Sequence, residues 1–458
     1  MMESYDLIVL GGGRAANLAI AASKAGWKTA LVERDQLGGT CPNRGCVPSK
    51  LLIGFSDAAR HVRASHRHFI DGGFQGADLG KIFESVNQYV AGVDGRYEDR
   101  VDSAEVTLIR GEGRFTGPKR IEAAGRTLTA EKIVIATGSR PAPPPFAHLP
   151  VWTSDDLFPL RTAPPKSLLV IGGGVIGCEM AAFFAAVGVS TSLLVHGDRL
   201  LEKEDREIEE VFRKEFGKHV PTRLNASLRH LTHSDNRFTA TFDTPDGEQT
   251  YQAERVLFAI GRVPNTDSLG LAETGLAANA KGFIPVNEHL ETAIPGIHAT
   301  GDVNGRHMLQ HAAAFEVQYL RQKFLKGIAS PIDEAQIAHG VFSHPEVAAV
   351  GLTEEELKES GTPYVAVFED WLASARLEAM RIDYPRVKLL VSPADFSILG
   401  CHLVGPESST LLHQVMTVMR LKNDVRELAE TIYIHPALNE CLLSAAVKVI
   451  RKVNGLRG

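Results

Sequence analysis

Tyr5-Asp6-Leu7-Ile8-Val9-Leu10-Gly11-Gly12-Gly13, then the alanine-rich run Ala15 to Ala25, Gly26 and Thr29-Ala30-Leu31-Val32, decide the fold class of this chain. The apolar, β-branched opening predicts a strand, the glycines a turn, and the alanine run a helix that Gly26 stops before a second strand. Gly11-x-Gly13-x-x-Ala16 has the spacing of a dinucleotide-binding turn. The first glycine makes the turn and the second lets a pyrophosphate reach the backbone. The helix N-terminus offers that anion its partial positive charge. Glu33 stands 20 residues after Gly13, at the end of the second strand, where a carboxylate can bind ribose hydroxyls. A glycine triplet alone also suits an ordinary tight turn. The strand before it, the helix after it and the acid at this distance favour the dinucleotide.

The unit returns 161 residues later. Ser167 to Ile171 predicts a strand, Gly172-x-Gly174-x-x-Gly177 the turn, Val175 to Val187 a helix and Ser192 to Val195 a strand. Here the strand-end acid is missing. Aligning Leu31-Val32-Glu33 with Leu194-Val195-His196 places His196 opposite Glu33, within a slip of one or two residues. A histidine selects strongly for neither a free 2′-hydroxyl nor a 2′-phosphate. Arg199 and Lys203 could help a phosphate, so NAD and NADP both stay open, and an exposed turn residue is an equal reading of His196. Ile133 to Gly138 and Val256 to Gly261 form a second matched pair, each a short buried strand ending on glycine. Pro141 to Pro145 suits a crossover between the repeats. From about Ile337 the glycine fingerprints stop. Antiparallel strands are expected at 387–391 and 398–404, and helices at 408–420, 424–431 and 437–453. The fold class is α/β with two Rossmann-like units, followed by an α+β domain whose expected role is assembly. The expected boundaries are 1–147, 148–270, 271–336 (a return to the first unit) and 337–458.

Composition removes several classes of function. The 458 residues carry a formal charge of −6, which argues against a nucleic-acid or anionic-membrane binder. No apolar run approaches the roughly 18 to 20 residues of a membrane helix. Met1 to Leu10 contains acids and leads straight into a strand, so no signal peptide is expected and the expected location is cytoplasmic. Five cysteines in a chain of this length exclude a disulfide scaffold.

Gly39-Thr40-Cys41-Pro42-Asn43-Arg44-Gly45-Cys46-Val47-Pro48-Ser49-Lys50 carries the chemistry. Two cysteines five apart on the first turns of a helix can approach closely enough to bridge. The helix N-terminus and Arg44 would favour thiolate over thiol. A zinc site needs about four ligands, and no second Cys/His pair has suitable local spacing. Two inert core cysteines would leave their position after a dinucleotide unit unexplained.

Taken together, these segments resemble the pyridine nucleotide-disulfide oxidoreductases, the group of dihydrolipoamide dehydrogenase and of glutathione, mycothione and mercuric reductases. Cys41 to Lys50 is similar to the redox-active segment of that family. Ala136 to Pro141, Ala259 to Asn265, Ile297 to Asp302, Val341 to Val347 and His435 to Glu440 are similar to its other signatures. The resemblance covers essentially the whole chain. It implies that FAD is held by Gly11, Gly13, Ala16, Glu33, Thr40, Gly113, Thr137, Gly138, Asp302 and Gln310. It implies that Gly172, Gly174, Gly177, His196, Gly261 and Arg262 serve NAD(P). It makes Cys41 and Cys46 a redox disulfide, with Cys46 facing the flavin and Cys41 exchanging with substrate. Lys50, paired with Glu179, would lie near the flavin, where a cation favours the reduced ring. His435, oriented by Glu440, would supply the proton chemistry of thiol exchange from the second subunit of a homodimer. The chain is most similar to the dihydrolipoamide dehydrogenase branch, although Pro42 and the missing strand-end acid depart from it. The expected substrate is a small dithiol or disulfide or a lipoyl-carrying protein. A low-molecular-weight disulfide reductase is the runner-up, and an NAD(P)H oxidase or diaphorase remains a further alternative. The C-terminus lacks the extra cysteine pair of mercuric reductases. Cys178, Cys401 and Cys441 read as small buried hydrophobes.

Overall fold

The computed structural model describes residues 2–160, 162–371 and 374–457. The opening stretch folds as strand Met2–Leu10, helix Ala16–Lys24 and strand Thr29–Glu33, with the two strands parallel and in register from Leu7 opposite Thr29 to Leu10 opposite Val32. Leu7 to Leu10 are all buried, as expected of a parallel strand covered on both faces. Strand Arg126–Ile135 pairs with Met2–Leu10 on its other side. The sheet has seven strands, and one of them, Ile297–Ala299, comes from much later in the chain and lies parallel to Arg126–Ile135. The chain therefore leaves this sheet and returns to it.

The excursion contains the second unit. Strands Ser167–Ile171 and Ser190–Leu194 flank helix Val175–Ala186 in a four-stranded parallel sheet. A three-stranded antiparallel sheet, Ser227–Ser234, Arg237–Thr244 and Gly247–Ala253, covers it. Helix Val175–Ala186 is apolar apart from Glu179, because most of it is buried. On one side lies its own sheet. On the other lies helix Cys46–Ala64 of the first unit, whose Leu52 and Ala59 share a core with Met180, Phe183 and Phe184. This helix pair carries the site, since Cys46 and Lys50 start one helix and Glu179 sits on the other.

The last segment forms a five-stranded antiparallel sheet in the order His339–Val341, Val347–Gly351, Ile398–Val404, Arg386–Val391, Val365–Asp370. Helices Ser408–Leu421, Val425–Glu430 and Glu440–Arg457 accompany it and share its core. The final helix starts at Glu440, three residues later than the expected 437, and His435 and Pro436 lie in the irregular approach to it. No helix among the described residues is long and apolar enough to cross a membrane.

The glycines of the second turn have separable duties. A Cβ at Gly177 would lie 1.9 Å from the Gly172 carbonyl oxygen, whereas one at Gly174 would meet nothing within 4 Å. Gly177→Ala should therefore destabilise the fold by about 1–3 kcal/mol, the usual cost of overpacking. Gly174→Ala should leave thermal stability nearly unchanged, and paired melting curves check the contrast.

Candidate functional site

A cavity of about 850 Å³ runs through the junction of the three parts. One end is the glycine turn. A Cβ at Gly11 (φ +110) would lie 2.2 Å from the Ala136 carbonyl oxygen, and one at Gly39 (φ +68) would lie 2.9 Å from the Gly13 Cα. Two bare backbones thus pass each other at the start of helix Ala16–Lys24, on the wall of the cavity. Arg14, exposed at that helix start, also lines the cavity. Glu33 ends its strand as expected. Its carboxylate accepts the Gly12 N–H at 2.5 Å and the Asp35 N–H at 2.7 Å, which fixes it beside the turn. Thr40, Gly113, Thr137, Gly138, Asp302 and Gln310 line the same cavity, while Ala16 is buried behind it in the helix.

The two matched strand ends close on each other here. Thr137 Oγ1 donates to the Asn265 carbonyl oxygen and Asn265 Nδ2 to that of Thr137, both at 2.8 Å, and the Asn265 N–H donates to the Gly138 oxygen at 2.9 Å. Asp302 accepts from Ser139 Oγ at 2.5 Å, and Arg262 donates to Ser139 Oγ and to its carbonyl oxygen, each at 2.8 Å. Glycine backbone, strand-end carboxylate, deep aspartate and a thiol pair at the far end together fit an extended dinucleotide such as FAD.

The thiol end departs from the expected single helix. Cys41 lies in a short helix, Thr40–Arg44, and Cys46 begins the helix Cys46–Ala64. Gly45 separates them with φ −131° and ψ −118°. A Cβ there would stand 3.1 Å from the Thr40 oxygen and 3.2 Å from the Cys41 Cα, so the break folds tightly over the first cysteine. Both cysteines are free thiols in this structure, and each perturbs the titration of the other. Cys46 is exposed and lines the cavity. The Cys41 hydrogen bond, the Lys50 cation and the helix-start amide hold its pKa down to about 7, against the pull of burial. The Cys41 thiol is pushed the other way, first by sharing its proton with Cys46 and then by burial. The sequence assigned part of this effect to Arg44. The structure corrects that reading, because Arg44 is paired with Asp35 and the cation acting on Cys46 is Lys50.

Lys50 Nζ meets Glu179 Oε1 at 2.8 Å and Oε2 at 2.7 Å, and lies 4.8 Å above the Phe342 ring. Glu179 is buried and also accepts the Phe342 N–H at 2.9 Å. Three separate parts of the chain thus converge on one carboxylate. Val175, Ile176 and Arg262 reach the cavity from the second unit, but Gly172, Gly174, Gly177, Gly261 and His196 do not line it.

The alignment of His196 with Glu33 needs correction by one residue. The Gly11 N–H donates to the Val32 oxygen, and the Gly172 N–H donates to the Leu194 oxygen. Glu33 is therefore matched by Val195, which packs against Gly173 as Glu33 packs against Gly12. His196 is the next residue, exposed, with Nδ1 3.0 Å from Ser227 Oγ. Arg199 is bonded to the Glu202 carbonyl oxygen.

His435 and Glu440 form a dyad, with Nδ1 2.7 Å from Oε1. The other Glu440 oxygen accepts the Ala437 N–H at 2.9 Å, and the bond to His435 is the first cause that lowers the Glu440 pKa. This dyad does not line the cavity of its own chain. The His435 side chain is 73% exposed, beside the exposed Ile432 and Ile434. Sequence reasoning missed Ser139, Phe342 and the His339–Glu204 pair. Ser139 lies inside a quoted motif, next to Gly138, and its hydroxyl was the available signal. Phe342 likewise lies inside the Val341 to Val347 signature, whereas its amide contact with Glu179 and the His339–Glu204 pair join distant segments and leave no local pattern.

The pyridine nucleotide-disulphide oxidoreductase family profile matches residues 5–316, and the dimerisation domain of the same family matches 337–446. A dihydrolipoyl dehydrogenase of Chlamydia pneumoniae is 30% identical over 456 residues, covering 98% of this chain and 97% of that protein. A glutathione reductase of Burkholderia cepacia is 30% identical over 455 residues, covering 95% and 97%. The solved HOCl-induced flavoprotein disulfide reductase RclA from Escherichia coli superposes with TM-score 0.86 at 27% identity, covering 97% of this chain and all of that one.

Two measurements probe this geometry. The Cys46 thiolate should titrate near pH 7 and shift upward in both Cys41→Ala and Lys50→Met, followed by thiolate absorbance near 240 nm as pH is raised. Val195→Glu should shift nucleotide preference toward NADH by about tenfold or more, the scale of one charge-assisted hydrogen bond to a ribose hydroxyl or one repulsion of a 2′-phosphate. The ratio of kcat/KM for NADH and NADPH reads it directly.

Proposed function

We propose, for a chain that belongs to the pyridine nucleotide-disulphide oxidoreductase family, a dihydrolipoyl dehydrogenase-type reaction carried by the Cys41–Cys46 pair. The protein is an FAD- and NAD(P)-dependent enzyme that passes electrons between a nicotinamide and a substrate dithiol or disulfide. The full-length likeness to dihydrolipoyl dehydrogenases supports the lipoyl substrate. The observation that carries the reading is the placement of the Cys41 and Cys46 thiols together on the wall of a dinucleotide-sized cavity, with Lys50 held on the same wall by the buried Glu179.

Bound FAD supplies two-electron transfer between the nicotinamide and the thiol pair. The remaining steps belong to side chains. With the pair oxidised, a substrate thiolate attacks the Cys41 sulfur, the Cys41–Cys46 bond breaks, and Cys46 leaves as a thiolate that Lys50 stabilises. The second substrate thiol loses its proton to His435 and attacks the mixed disulfide. The substrate ring closes, and Cys41 is released as it takes up the proton. Glu440 holds the imidazole through Nδ1, leaving Nε2 free for the transfer. Reduction of a small disulfide runs the same exchange backwards.

His435 is supplied by the partner of a homodimer in this proposal. Its exposure, its distance from its own cavity and the match to a dimerisation domain support that arrangement. A small-disulfide reductase using NADPH is favoured by one observation, the apolar Val195 where an NAD-selecting acid would stand.

Steady-state assays with lipoamide, glutathione disulfide and mycothione disulfide, each with NADH and NADPH, decide the substrate. Lipoamide turnover at least tenfold above the others supports the first reading, and the reverse order supports the reductase. His435→Ala should lower disulfide turnover by about 10²–10⁴, the value of lost acid–base help. Reduction of the holoenzyme by NAD(P)H should persist, as stopped-flow absorbance would show. Equal loss of both half-reactions would make the histidine structural.

A further inference from the structure

One buried ionic constellation has no part in the exchange chemistry. Glu204 and Asp205 follow the second glycine turn and precede helix Arg206–Phe216. Both are buried. Glu204 Oε1 lies 2.6 Å from His339 Nε2, and His339 lines the cavity beside Gly340 and Phe342. Asp205 Oδ1 lies 2.9 Å from Nζ of Lys388, a fully buried lysine that also meets Glu207 at 2.7 Å and Glu354 at 2.5 Å. Asp205 Oδ2 accepts the Glu354 N–H at 3.1 Å. His339 and Lys388 stand on two strands of the C-terminal sheet. Two adjacent carboxylates of the second unit are thus each tied to a base of the third.

The tie reaches the glycine turn itself. The Glu204 N–H donates to the Leu201 oxygen and the Leu201 N–H to the Gly173 oxygen, both at 2.8 Å. A continuous path of short bonds therefore runs from Gly173, through Leu201 and Glu204, to His339 on the cavity wall. Buried ion pairs add little net stability, because desolvation offsets their attraction. Apolar contacts would hold the two parts together as well, but they would not fix a direction. The second oxygen of Glu204 is buried without a hydrogen-bond partner among the described residues, so the His339 contact decides where this carboxylate points.

We propose that Glu204 and His339 are positioning residues for the nicotinamide half of the reaction. They set the second glycine turn against the Gly340–Phe342 wall, with Asp205 and Lys388 as the fixed anchor behind them. The inference rests on the reading that the second unit carries NAD(P) while Cys41 and Cys46 serve the other half-reaction.

The test uses FAD-loaded full-length enzyme and separates the half-reactions by rapid mixing. His339→Leu should raise the apparent Kd for NAD(P)H by about tenfold or more, the scale of a lost hydrogen bond to a charged group. Reoxidation of the reduced enzyme by lipoamide should stay within about twofold of wild type, the spread expected when no such bond is broken. His339→Gln, which keeps a donor, should restore most of the affinity. Glu204→Gln serves as a second variant if His339→Leu loses its flavin, and equilibrium titration with NAD(P)+ should then show the same weakening. Unchanged nucleotide affinity in a folded His339→Leu enzyme, or equal loss in both half-reactions, overturns the proposal. Failure of NAD(P)H to reduce the wild type would instead overturn the assignment of function on which it rests.

Discussion

Everything at the centre of this molecule is organised by one ion pair, Lys50 with Glu179. It joins the helix that Cys46 begins to the buried helix of the second unit, and the Phe342 amide brings the last domain to the same carboxylate. After the Cys41 hydrogen bond, the ammonium also helps to lower the Cys46 pKa, so the contact that joins three parts of the chain also favours charge on the reactive sulfur. An aliphatic contact could join the helices, but it could not acidify a thiol. Such a site constrains sequence from both directions, because the packing of the two helices and the chemistry at their ends depend on the same pair of residues.

The repeated glycine unit explains why the architecture is readable. Strand, turn and helix are each written locally, and both copies fold with the same hydrogen bond from first glycine to strand end. The α+β character of the last part is equally legible, from short strands without a glycine turn. Register across a turn is harder. The helix of the second unit takes one residue more to reach its strand end, and counting along the sequence does not show where that residue is absorbed. Val195 is therefore hidden behind its more conspicuous neighbour His196.

Groupings are legible where residues sit inside contiguous motifs: Cys41, Cys46 and Lys50 meet on the cavity wall, and His435 pairs with Glu440 in a dyad away from it. The candidate site is misread where a nearby charge has a competing partner. Arg44 is close to the thiols in sequence, but Asp35 takes it, and a residue four positions beyond Cys46 acts in its place. The Gly45 break between two helices is hidden because both flanks read as one helical start. Pairs such as Glu204 and His339 are 135 positions apart and carry no periodicity that would join them.

The exposed dyad at the end of the chain has a genetic consequence. In the proposed arrangement the imidazole that serves one thiol pair is donated by a neighbouring copy, and each polypeptide contributes half of two centres. A cell that makes intact and histidine-deficient chains together would assemble mixed pairs with one working centre and one idle one. A chain lacking its cysteines and a chain lacking its histidine, each inactive alone, would then rescue each other when co-expressed.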